Sequence, residues 1–148
     1  MDERAIAEVA AWAVLAVNAV AGVLAGWSWW RVEPSAAIWP LLRAGQGVAF
    51  VQAAVAGVLY AAGYDPHDDL YWLYALLPVA IGLIAEQLRV ASAEQVLEDR
   101  RLDAQAVGAL PEAEQRSVVL SVVRREIGVM ALAALVVAFL ALRAALVV

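Results

Sequence analysis

Residues 9–30 read VAAWAVLAVNAVAGVLAGWSWW, 22 positions without one charged side chain. A membrane-crossing helix needs about 20 such positions. Working outward from this run, three more stretches reach comparable dimensions. Residues 44–64 supply 21 uncharged positions; residues 70–85 are shorter but gain Gln87 and Leu88 past Glu86. Residues 127–142 continue through Arg143 into five apolar residues ending at Val148. An arginine near a helix end can carry its guanidinium to the headgroups, so 127–148 counts as one span. The predicted fold is therefore an all-α integral membrane protein. It forms one domain over 1–148, with transmembrane helices at about 6–30, 41–64, 69–88 and 127–148.

Composition agrees. Hydrophobic residues make up 65% of the 148-residue chain, and the mean hydropathy is +0.77. A soluble domain of this size has too little interior for that much apolar surface. Cysteine is absent, which excludes disulfides, thiolate metal sites, iron–sulfur clusters and cysteine nucleophiles. His67 is the one histidine, so a single chain cannot ligate haem through two histidines. The acidic start, Asp2, Glu3 and Glu8 around a lone Arg4, lacks the positive region of a cleaved signal, and the first span is expected to stay as a helix.

Orientation follows the arginines, which are all ten of the basic residues. Arg31, Arg43, Arg89, Arg100, Arg101, Arg116, Arg124 and Arg125 fall on one side of the predicted spans, Arg4 and Arg143 on the other. The eight-arginine side is expected to be cytoplasmic, with both termini and the 65–69 loop outside, in a multi-pass bacterial cell membrane. Trp27, Trp29, Trp30 and Trp39 cluster at the inner boundary and Tyr60, Tyr64, Tyr71, Trp72 and Tyr74 at the outer one, where aromatic belts form.

The third linker, about 89–126, is predicted to be a cytoplasmic helical hairpin extending helices 3 and 4. Asp68 or Asp69 suits the start of helix 3, and only Pro78, expected to kink it, interrupts the run before Gly108. Pro111 with Glu112 and Glu114 reads as the first turn of helix 4. Helices of about 58 and 57 Å result, each protruding about 25 Å beyond the bilayer. Val90, Ala93, Leu97, Ala104 and Val107 on one arm and Val118, Val119, Val122 and Val123 on the other form stripes that can zip together.

Four groups of residues could carry function. At the inner boundary Arg43, Glu86, Arg89, Arg124, Arg125 and Glu126 form a candidate polar cluster, read as topology-fixing salt bridges, a lipid-headgroup site or an ion relay. Arg43 and Glu86 fall at the same depth, and the short 65–69 loop makes their helices neighbours, so they are expected to pair, with Arg89 as a rival. A candidate helix-packing face comprises Gly22 and Gly26 on helix 1 with Gly45, Ala49, Ala53, Gly57 and Ala61 on helix 2. Asn18, Gln46, Gln52 and Tyr60 are polar groups at membrane depth, read as interhelical hydrogen bonds or a small-ligand pocket. The loop with Asp65, His67, Asp68 and Asp69 has cation ligands in number, but reads first as a turn and helix cap.

No catalytic residues, cofactor or metal site are expected. The serines at 28, 35, 92, 117 and 121 lack a partnered histidine, there is no phosphate loop, and the charged arm has no basic stripe for nucleic acid. The segments 85–94 (AEQLRVASAE), 107–111 (VGALP) and 124–130 (RREIGVM) resemble small uncharacterised four-helix membrane proteins of GC-rich bacteria. That resemblance implies the topology and no activity. The expected function is non-enzymatic: docking of a partner, either another copy or a larger membrane complex, through the hairpin or a small-residue helix face. The alternative is a small oligomeric transporter or channel built on the inner-boundary cluster.

Overall fold

The computed structural model describes residues 2–33 and 35–148; Met1 and Pro34, the latter in the linker between the first two predicted spans, lie outside the described residues. Helices α1 (Glu3–Arg31), α2 (Ile38–Ala61), α3 (Leu70–Asp99), α4 (Ala104–Gly108) and α5 (Glu112–Val147) follow one another without a strand among the described residues. All except the one-turn α4 are long and apolar enough to cross a membrane.

Several helix ends have a local cause. Asp2 caps α1 by accepting the Arg4 N–H at 2.9 Å. The end of α2 is a Schellman turn: Gly63 takes φ +84°, its N–H reaches Tyr60 O, and the Tyr64 N–H reaches Leu59 O. Asp68 then accepts the Leu70 N–H at 2.9 Å to open α3. Asp68 thus serves the helix start as expected, while Asp69, at the cap position itself, makes no side-chain capping bond.

The predicted unbroken helix from Asp68 to Gly108 does not form. The chain leaves α3 at Asp99 through another Schellman turn, in which Arg101 N–H bonds Glu98 O and Leu102 N–H bonds Leu97 O, both at 2.9 Å. Arg101 sits in the left-handed region at φ 55° without being glycine. Asp103 then caps the separate α4 through its bond to the Ala106 N–H. A strong cap two residues past a possible stop favours the break. At helical rise, α3 is about 45 Å long rather than 58, and α5 about 54 Å. Gln115 ties the turn before α5 by donating to Gly108 O and Leu110 O.

The long helices form a ring: α5 packs closely on α1 and α3, while α2 closes it against α1 and, more loosely, α3. Ala7, Ala11, Ala56, Tyr71, Ala144 and Val148 share one core layer, so both chain ends and the α2–α3 connection lie at the same end. Tyr60, Tyr64, Tyr71 and Trp72 stack edge to face there, and Arg143 lies 5.6 Å over the Tyr74 ring. The opposite layer holds Ile38, Leu42, Ala85, Ile127 and Met130.

Past that layer α3 and α5 continue side by side. Val96 and Val118 are the valines buried between them. Val90 and Val119, expected in the zipped stripes, are exposed instead. Polar contacts share the work: Arg100 donates to Ser117 Oγ and Ser121 Oγ, and Arg125 approaches Asp99 at 3.8 Å.

Candidate functional site

Glu86 on α3 gathers the charged layer. Arg43 of α2 meets it end-on, Nη1 to Oε1 at 2.6 Å and Nη2 to Oε2 at 3.3 Å. Gln46 Nε2 adds a bond to Oε1 at 3.0 Å, and Arg89 Nε one to Oε2 at 3.1 Å. Arg89 also reaches across to Glu126 of α5 through Nη1 at 3.1 Å. The pattern follows from helix periodicity: positions 43 and 46, and 86 and 89, are three apart and share a face. Two arginines and two glutamates leave the network formally neutral. Both proposed partners of Glu86 thus hold it at once.

Arg124 and Arg125, placed by sequence in the same cluster, are elsewhere. Arg124 and Glu126 point about 200° apart around α5, so while Glu126 faces α3, Arg124 lies 5.3 Å over the Trp29 ring of α1. Arg125 turns to Gln95 and Asp99 in the arm. Gln46 was missed as a member because it read as a membrane-depth amide; its spacing from Arg43 was the available signal.

Beside this layer, between α2 and α3 with α5 behind, lies a cavity of about 160 Å³. Its charged rim is Arg43, Gln46 and Glu86; its walls are Ala49, Phe50, Val79, Leu83, Met130 and Val137. Phe50 and Leu83 are both more than half exposed, so the cavity opens sideways between the two loosely packed helices. Gly82 lines it, and a Cβ there would meet nothing within 4 Å. Its missing side chain leaves space rather than permitting close packing. Asn18, 3% exposed, forms part of the wall. Its Nδ2 donates to Val14 O on its own helix and to Gly45 O on α2, at 3.0 and 3.1 Å, while its Oδ1 accepts nothing among the described residues.

The small-residue face is half realised within the chain. A Cβ on Gly22 would lie 2.8 Å from the Leu135 side chain, and one on Gly45 2.6 Å from Asn18 Oδ1, so both mark close helix approach. Ala49 is buried and Ala53 half-buried, but Gly26 and Gly57 have open space around them and Ala61 is exposed. A four-residue repeat rotates about 40° per step around a helix of 100° per residue. The buried line on α2 instead follows Gly45, Ala49, Gln52, Ala56 and Leu59. Gln52 sits in it 1% exposed, with neither amide atom bonded among the described residues, and the buried Tyr71 hydroxyl is likewise without a partner. Tyr60, read from sequence as an interhelical hydrogen-bonding group, is exposed and stacks on Trp72.

Comparison with known proteins found no matching family model, no similar curated protein and no similar solved structure.

Proposed function

We propose that this chain is a non-enzymatic integral protein of a bacterial cell membrane, with both termini outside, that docks another protein through a cytoplasmic arm made of α3 and α5. The observation that carries the reading is the arm. Asp99 lies 13 residues past Glu86 on α3, and Glu112 lies 14 before Glu126 on α5, so both helices run about 20 Å beyond the charged layer. A connector between neighbouring helices needs only 2–8 residues. The arm also presents Val90 and Val119 about half exposed, and its arginine count supports a cytoplasmic position.

Reporter fusions at Leu110 and Val148 test the orientation; a Val148 fusion active only in the cytoplasm defeats it. A photo-crosslinking residue at Val119 tests docking. A protein adduct is expected there, its mass distinguishing a second copy from a larger complex, and lipid adducts alone would refute the arm as a docking surface. The transporter or channel reading has weaker support. Both Glu86 oxygens are already engaged, and most of the cavity beside them is apolar.

A further inference from the structure

The cavity between α2 and α3 has polarity along its length. Arg43, Gln46, Glu86 and Asn18 are its polar residues, and all lie at its charged end. From Arg43 to Phe50 the wall extends seven residues, about 10 Å, and the deeper part is apolar. A buried apolar cavity of about 150 Å³ is large enough to bind benzene. Spread over this depth, 160 Å³ makes a slot about one hydrocarbon chain wide.

Two polar groups at this end have bonding capacity that no described residue uses. The end-on edge of the Arg43 guanidinium is taken by Glu86 and Gln46. Its other edge, Nε–H with the second Nη2 hydrogen, makes no bond among the described residues, and the side chain is 51% exposed. That edge is a two-donor fork suited to a phosphate. Asn18 Oδ1 is an acceptor in a nearly fully buried side chain, lying against Gly45, about half a turn deeper than Arg43. It can accept from a hydroxyl donor inside the cavity, which Asn18 and Arg43 both line.

From these placements we infer that the α2–α3 slot binds a single-chain phospholipid with a free glycerol hydroxyl. Its phosphate lies on the outer edge of Arg43, its hydroxyl donates to Asn18 Oδ1, and its one acyl chain runs along Ala49, Phe50, Val79 and Gly82. A diacyl lipid has neither the hydroxyl at that position nor a slot for its second chain. The inference rests on the membrane embedding proposed above and is independent of partner docking.

The test uses the full chain in phosphatidylcholine nanodiscs, with bound lipid counted by native mass spectrometry. The probes are a monoacylglycerol phosphate, its analogue lacking the glycerol hydroxyl, and a diacyl phosphatidic acid. The monoacyl lipid should bind at least about fivefold more tightly than the deoxy analogue, the worth of one neutral hydrogen bond, and more tightly than the diacyl lipid. Gly82→Leu should fill the slot and reduce binding tenfold or more with no loss of thermal stability, because that position has room. Asn18→Leu should erase the preference for the hydroxyl, and Arg43→Gln should weaken all three phosphates. Equal binding of the monoacyl lipid and its deoxy analogue, or binding unaffected by Gly82→Leu, overturns the site. A chain that fails to enter nanodiscs overturns the membrane reading itself; one that enters and binds none of the probes overturns only the lipid site.

Discussion

Arg43 and Glu86, 43 positions apart in the chain, hold one another through a two-pronged contact of 2.6 and 3.3 Å that joins α2 to α3 beside the cavity. The α2–α3 interface is otherwise loose, so this contact closes a helix pair that apolar packing alone closes poorly. Gln46 and Arg89 converge on the same carboxylate.

Removing the shared acceptor should therefore cost more than removing one donor. Glu86→Ala strands three side chains and should lose about 2–3 kcal/mol. Arg43→Ala should lose about 1 kcal/mol, because its half-exposed guanidinium is partly screened by solvent. A double-mutant cycle in detergent or bilayer measures the coupling. Strictly additive losses would show the two residues acting independently.

Gln52 makes the opposite case. A buried amide without partners is a liability, and replacing it with an apolar residue of similar size should help. Gln52→Leu is expected to stabilise the chain by about 1–2 kcal/mol, read as a rise in its unfolding temperature. A fall would mean that the amide is engaged in the folded protein.

The glycines separate into two sets by the space around them. Gly22→Ala and Gly45→Ala should each destabilise by about 1–3 kcal/mol, since the new methyl meets Leu135 or Asn18 at under 3 Å. Gly26→Ala and Gly57→Ala meet nothing and should gain roughly 0.5–1 kcal/mol from helix propensity. Losses at Gly26 or Gly57 would place a second chain against that face.

At the tip of the arm, Arg101→Gly should relieve the left-handed backbone and gain about 1 kcal/mol. Asp103→Ala should lose about 1 kcal/mol with the α4 cap. Limited trypsin treatment should cut first at the exposed turn after Arg101, before Arg116 within α5. Early cutting throughout 89–126 would contradict paired helices.

Much of the fold was legible in the sequence because a bilayer-length apolar run is a local property. Residues 9–30 and 127–148 need no partner to be read as spans, and the Asp68 side chain acts within two residues of itself. The Arg43–Glu86 contact was also within reach, because helix rise converts position into depth and a short loop makes neighbours of two helices. Helix periodicity sets which side chains share a face, but only tertiary structure decided how each helix is rotated against its neighbours. That rotation sends Arg124 to Trp29 and Glu126 to Arg89, brings Gln46 into the charged layer, and carries Gly57 and Ala61 off the buried line that Gly45 begins. It also opened the slot beside Gly82, since a void arises from how two helices diverge and no single residue encodes it. The break at Arg101 belongs to the same class: an arginine enters the left-handed region when the turn's two hydrogen bonds, the Asp103 cap and the packing of the arm together outweigh its strain.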